Sequence, residues 1–198
     1  MPGSSIPLMK PRNFYRIGCY LLLYSQDDQP IGLARALKIP FDQTEELGYK
    51  KYIKSIPFLQ HSRHVGIFTD VGVLRQYRKT FLRYGNNKIT IGQAIILVLC
   101  KTYLEGVQVL FGSASISGAY KFFTSLGAYL LGLRSDESRI GQCIADFVIL
   151  LGDRNKLTQK KSPLLLLSRP DNTYDKQLTA HLIMIDKSCM ASIQSRNS

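Results

Sequence analysis

The chain has 198 residues, 45% of them hydrophobic and 20% charged. That balance suits one ordinary globular core and excludes a disordered chain. Lys and Arg number 26 against 14 Asp and Glu, a net charge of +12, and self-repulsion of that size points to an anionic partner. Four widely spaced cysteines without a C-x-x-C pair exclude a zinc ribbon or a disulfide-dense scaffold and fit reduced thiols.

Residues 1–12 have the Pro, Gly and Ser content of a flexible basic tail. Residues 13–25 read as a strand, 26–30 as a turn and 31–41 as a second extended segment, together a hairpin. Asp42 is placed to cap a helix over 43–55, with Glu45 and Glu46 in its first turn and Lys50, Lys51 and Lys54 in its last. A short strand is expected over 64–70. Residues 71–84 have helical periodicity, with Val73, Leu74, Tyr77, Phe81 and Tyr84 on one face and Arg75, Lys79 and Arg83 on the other. A buried helix over 90–105, a strand over 107–111, a small-residue turn over 112–115 and a third helix over 117–133 follow. Residues 134–139 and 153–162 read as charged loops. Residues 140–151 are apolar enough for a buried element, with a strand favoured and a helix as the alternative, and strands are expected over 164–168 and 179–185, with a polar, frayed tail from 187. The expected fold is a single α+β domain over 13–186, with a mixed or antiparallel sheet and three to four helices packed on it. No segment reaches the ~18 uncharged apolar residues of a membrane span, because Gln93, Lys101 and Glu105 interrupt the best candidate.

No signature of chemistry emerges. Neither a P-loop nor a G-x-G-x-x-G opens a helix. His61 and His64 have no Cys or carboxylate cluster beside them to complete a metal shell, and Arg63 between them disfavours a cation. There is no G-x-S-x-G elbow. The pairs Asp27-Asp28, Glu45-Glu46 and Asp136-Glu137 fit turns and helix starts. On this reading the protein is not an enzyme and takes no catalytic residue, metal, cofactor or small-molecule substrate.

The basic residues cluster instead. Arg75, Arg78, Lys79, Arg83 and Lys88 place five cations within fourteen residues, with no acid after Asp70. With Lys50, Lys51, Lys54 and Arg63 they form a candidate site for phosphate, lipid headgroups or another anion. Tyr49, Tyr52, Tyr77 and Tyr84 interleave with them, but no RNP strand, KH loop or zinc finger supports base readout.

The basic tail over 1–12, the strand opening at Asn13-Phe14-Tyr15 and the basic segments around Lys50 and Arg75 resemble the small matrix proteins of negative-strand RNA viruses, rhabdovirus type. The chain departs from the animal-virus members in lacking a P-P-x-Y or P-[ST]-A-P motif and a Lys-rich opening. The resemblance implies a non-enzymatic, self-associating protein of host cytoplasm or nucleus. It would lie peripheral to an anionic membrane, be neither transmembrane nor secreted, and bind that surface or nucleoprotein. A nucleic-acid-binding protein, such as a viral RNA-binding or silencing-suppressor factor, is the alternative, and an enzyme of unfamiliar type, its catalytic groups far apart in sequence, comes third.

Overall fold

Cys143-Ile144-Ala145-Asp146-Phe147-Val148-Ile149-Leu150 is an apolar run broken by one carboxylate, which suits a strand covered on both faces. In the computed structural model it forms β8 (Cys143–Leu150), buried from Ala145 onward. β8 runs antiparallel between β6 (Val109–Ser115) and β7 (Tyr129–Ser135). The structure describes residues 18–41, 52, 64–84, 87–116, 118–135, 143–167 and 176–196.

The sheet continues through β1 (Gly18–Tyr24), β2 (Pro30–Pro40) and β3 (His64–Val73) in the order β1-β2-β3-β6-β8-β7. Every neighbouring pair is antiparallel except β3 and β6, which are parallel. A separate two-stranded ribbon, β4 (Phe81–Tyr84) and β5 (Asn87–Thr90), leaves the sheet after β3. Four helices are described: α1 (Ile91–Thr102), α2 (Ala119–Ser125), α3 (Arg154–Gln159) and α4 (Lys176–Arg196). This is the expected α+β class with a mixed sheet. No described helix is long and apolar enough to cross a membrane.

Alternation along β8 divides the core in two. Ala145, Phe147 and Ile149 join the cluster beneath α1 and α2, with Ile95, Ile96, Leu99 and Phe123. Val148 and Leu150 face the other way, towards Ile67, Phe111, Tyr129, Tyr52 and Leu182 of α4. β7 is the sheet edge on that side, and α4 covers it: the Leu130 N–H donates to the Asp186 carboxylate at 3.0 Å. Lys156 Nζ of α3 reaches the same carboxylate at 3.4 Å and sits 4.1 Å over the Tyr129 ring, whose hydroxyl bonds Asp153. An edge that would otherwise template another chain is thereby closed.

Several sequence expectations are corrected. Residues 71–84 do not form a helix. β3 extends to Val73, Arg75–Tyr77 is a 3₁₀ turn, and Phe81–Tyr84 is extended. Like charges at helical spacing oppose a helix, while Val71, Val73, Phe81 and Tyr84 favour extended backbone. The expected turn at 112–115 is the end of β6. The helix expected over 117–133 stops at Ser125, because Gly127 takes φ +97° and turns the chain into β7. Residues 154–159 are α3, capped by Asp153, whose carboxylate accepts from the Lys156 N–H at 3.1 Å. The strand expected over 164–168 is a 3₁₀ turn, Pro163–Leu167. The strand expected over 179–185 and the tail from 187 both fall in α4, where Leu182, Asp186, Cys189 and Ile193 recur at helical spacing on the packed side. The hairpin near the start and the strand within 140–151 stand as expected. The tail over 1–12 and the helix over 43–55 lie outside the described residues, except Tyr52, which is helical and buried.

Gly112 marks where the core is tightest. A Cβ there would stand 2.3 Å from the Phe147 ring, which itself stacks on Phe123 at 4.3 Å. Gly112→Ala is therefore expected to cost about 2 kcal/mol by overpacking, measured by urea unfolding.

Candidate functional site

β3 and β6 are paired over three residues only, Gly66–Phe68 against Leu110–Gly112. Beyond that point β3 carries a bulge: Arg35 of β2 partners Asp70 and Ala36 partners Phe68, so Thr69 is the extra residue. A bulge bends its strand and is common beside functional sites. Here it coincides with the end of the parallel pairing. β3 stays on β2 as far as Val73, and β6 stays on β8 as far as Ser115. The edges that face each other, 69–73 and 113–115, part and share no described ladder.

The parting opens a cleft of about 520 Å³ on the α1 side of the sheet. Val71, Gly72 and Val73 supply one wall, and Gly118, Ala119 and Phe122 supply the other. Phe123 closes the floor, and Thr90 and Gly92 place the first turn of α1 at its head. Gly118 adds no side chain to its wall, and a Cβ there would meet nothing within 4 Å.

The first turn of α1 is built as a capping box. Thr90 Oγ1 accepts the Gln93 N–H at 3.3 Å, and Gln93 Oε1 accepts the Thr90 N–H at 3.0 Å. The Ile91 N–H is taken by the Thr80 carbonyl at 3.3 Å. Among the described residues no partner takes the Gly92 N–H, which lies at the positive end of the helix with no acid in that turn. Arg78 lines the same cleft, held by its Nε donating to the Val73 carbonyl at 2.9 Å. An amide, a helix terminus and a guanidinium together make the head of the cleft electropositive.

A second polar group lies on the opposite face of the sheet, at the same level. Asp146 is 4% exposed and accepts three hydrogen bonds: from Ser113 Oγ at 2.6 Å, Tyr52 Oη at 2.8 Å and Arg134 Nε at 3.2 Å. Ser113 is one residue beyond the last parallel pair, so this network borders the gap between the strands. Arg134 keeps half of its side chain in solvent. Burial, and then the bond to Asp146, push the Tyr52 hydroxyl well above the usual tyrosine range. Among the described residues no group of three His, Cys, Asp or Glu is placed to hold a metal ion.

Of the cations singled out from the sequence, Arg75, Arg78, Lys79, Arg83 and Lys88 remain together, but on the 3₁₀ turn and the β4–β5 ribbon instead of on a helix. Only Arg78 of these enters the cleft. Lys50, Lys51, Lys54 and Arg63 lie outside the described residues. Sequence reasoning missed Gly72, Gly92, Gly118, Ser113 and Asp146. The box Thr90-x-x-Gln93 opening an apolar helix, and the lone acid in the run 143–150, were the available signals.

No known family profile and no curated protein matches the chain. Among solved structures it is similar to nourseothricin acetyltransferase at 12% identity and a TM-score of 0.47, over 67% of this chain and 65% of that one, just under two thirds of its length. It is similar to FeeM, an N-acyl amino acid synthase from uncultured soil microbes, at 10% identity and 0.49, over 72% and 76%. It is also similar to mosquito arylalkylamine N-acetyltransferase like 5b, at 14% and 0.47, over 66% and 74%. At these values the likenesses transfer neither residues nor activity. None of the three is a viral matrix or RNA-binding protein, and the helical basic stripe that carried the matrix resemblance is not a helix. The matrix-like and RNA-binding readings, their membrane and nucleoprotein partners, and the expectation of no enzyme and no small-molecule substrate are accordingly corrected.

Buried hydroxyls and a thiol set an alkaline limit on the fold. Burial raises Tyr120 and Tyr129, aided by Asp186 and Asp153 respectively, as it raises Tyr52, and it pushes the Cys100 thiol up to about 12. Below the unfolded-state values both states keep these protons and stability is complete. Above about pH 9 the unfolded chain ionises first, so stability falls as pH rises towards the folded values. Urea midpoints are expected to drop steadily from pH 9 to 11, and Cys100 is expected to react with a thiol reagent at pH 8 only on unfolding.

Proposed function

We propose that the chain is an acyl-transfer enzyme, moving an acyl group from a phosphate-bearing thioester donor to a small amine. The observation that carries the reading is the parting of parallel strands β3 and β6 directly in front of the α1 N-terminus. Ligands of open α/β sheets bind beyond the carboxyl ends of parallel strands, and phosphates bind at helix N-termini. The β3 edge over 69–73, which pairs with β2 on its other side, can hydrogen-bond an extended amide-bearing arm as a sheet accepts an added strand. A long donor with phosphate at one end and a thioester at the other matches that sequence of environments.

Such a donor enters from the α1 face with its phosphate on Gly92 and Arg78, and its thioester reaches the gap beside Ser113. The acceptor approaches from the Asp146 face. Its amine nitrogen bonds to the thioester carbonyl carbon, and the carbon–sulfur bond breaks. Ser113 and Asp146 relay the proton lost by the amine, and the departing sulfur takes one up, so no net proton is consumed. The acetyl- and acyltransferases to which the chain is similar are named for chemistry of this kind.

Arg78→Glu tests the cleft, because Arg78 lines it from an exposed turn and the exchange reverses the charge at its head without disturbing the core. Acetyl-coenzyme A is expected to bind the wild type and to bind this variant at least tenfold more weakly by calorimetry, with the thermal midpoint held within a few degrees. Equal binding would exclude the cleft as the donor site. Asp146→Asn is expected to lower kcat about a hundredfold with donor KM unchanged, read on a panel of small amines.

A further inference from the structure

The excursion between β3 and α1 presents more surface than a small-molecule cleft requires. Every residue of β4 is exposed, and of β5 only Ile89 is buried, so the ribbon has little core of its own. Phe81 is 60% exposed and Leu74 50%, with Leu82 and Tyr84 both at 39%. Beside these apolar groups stand Arg75, Lys79, Arg83 and Lys88, and residues 74–90 contain no Asp or Glu. Arg83 and Lys88 are direct cross-strand partners, a like-charge pair that on its own opposes the ribbon. Exposed apolar side chains rimmed by unbalanced cations are the composition of a docking surface for an anionic, partly apolar partner.

The ribbon stands at the mouth of the cleft. Thr90, the last residue of β5, lines the cleft and pairs with Phe81. The Thr80 carbonyl holds the Ile91 N–H of α1, and Arg78 reaches into the cleft from the same turn. Whatever sits on the ribbon is within reach of the donor entrance.

We infer that the β4–β5 ribbon and its 3₁₀ turn dock a small acidic carrier protein that delivers the acyl thioester into the cleft on a flexible arm. The inference rests on the reading of the cleft as the donor site and adds the donor's bearer. A second copy of this chain brings the same surplus of +12 and is repelled. A cationic peptide acceptor is repelled likewise. A free small-molecule donor has no use for Leu74, Phe81 and Tyr84, which lie outside the cleft lining. An acidic helix with a few apolar residues answers both the charge and the exposed apolar groups.

The test compares the wild type with a variant carrying Arg75→Glu, Lys79→Glu and Arg83→Glu, none of which lines the cleft. The probes are an acyl carrier protein bearing an octanoyl thioester, free octanoyl-coenzyme A and phosphatidylglycerol vesicles. The wild type is expected to bind the carrier, more weakly in high salt. The triple variant is expected to bind the carrier at least tenfold more weakly and octanoyl-coenzyme A equally well. Should the charge reversal prevent folding, the same positions changed to Gln take its place. Equal carrier binding by wild type and variant, or octanoyl-coenzyme A binding with no carrier binding, overturns the inference and leaves the cleft reading intact. Binding of vesicles in place of the carrier overturns it in favour of a lipid surface. Failure of octanoyl-coenzyme A to bind the wild type overturns the cleft reading itself.

Discussion

One extra residue in β3, Thr69, decides where this sheet can hold a ligand. Up to Phe68 the strand is locked to β6, and the two faces of the sheet are separate, each with its own core. Past the bulge β3 follows β2 while β6 follows β8, so the two strands part. Phe68, Phe123 and Phe147 stack beneath the gap, and Gly118 adds no side chain to it.

The same parting brings two electrostatic environments to one level of the fold. On one side, the Gly92 amide, the α1 dipole and Arg78 favour negative charge. On the other, Asp146 is a buried carboxylate held by Ser113, Tyr52 and Arg134, which suits handling a proton or an amine. Phosphate binding and proton transfer need opposite surroundings, and a gap through a sheet gives each its own face. The cleft also explains how a chain without catalytic motifs can be arranged for chemistry. Its polar groups are a main-chain amide, one arginine and residues from strands far apart in sequence, so no local motif records them.

What the sequence made legible follows from which signals are local. β8 was legible as a buried element, with strand favoured over helix, because seven of its eight residues are apolar. α1 was readable because Thr90 and Gln93 announce its start. The hairpin β1–β2 was readable from its turn, in which Asp28 takes φ 54°. The segment 71–84 misled because Val73, Tyr77, Phe81 and Tyr84 fall at near-helical spacing although Val73 ends β3, Tyr77 sits in the 3₁₀ turn and only Phe81 and Tyr84 belong to the exposed ribbon. α4 misled in the opposite sense, since the run Leu182-Ile183-Met184-Ile185 looks like strand while only every third or fourth residue is packed. The bulge at Thr69 and the meeting of Ser113 with Asp146, 33 residues apart, are tertiary facts with no local signature. The surplus charge was legible as a surface, but charge alone does not name a partner, and the matrix reading attached to it was the wrong one.

Backbone amide signals followed by NMR as acetyl-coenzyme A is added to the native chain test the central claim most directly. The account predicts shifts and slowed exchange confined to the Gly92 amide and to the facing edges 69–73 and 113–115, with β1 and β7 unmoved. Saturating ligand with no change at Gly92 or at those edges, or changes confined to the far edges of the sheet, would contradict it.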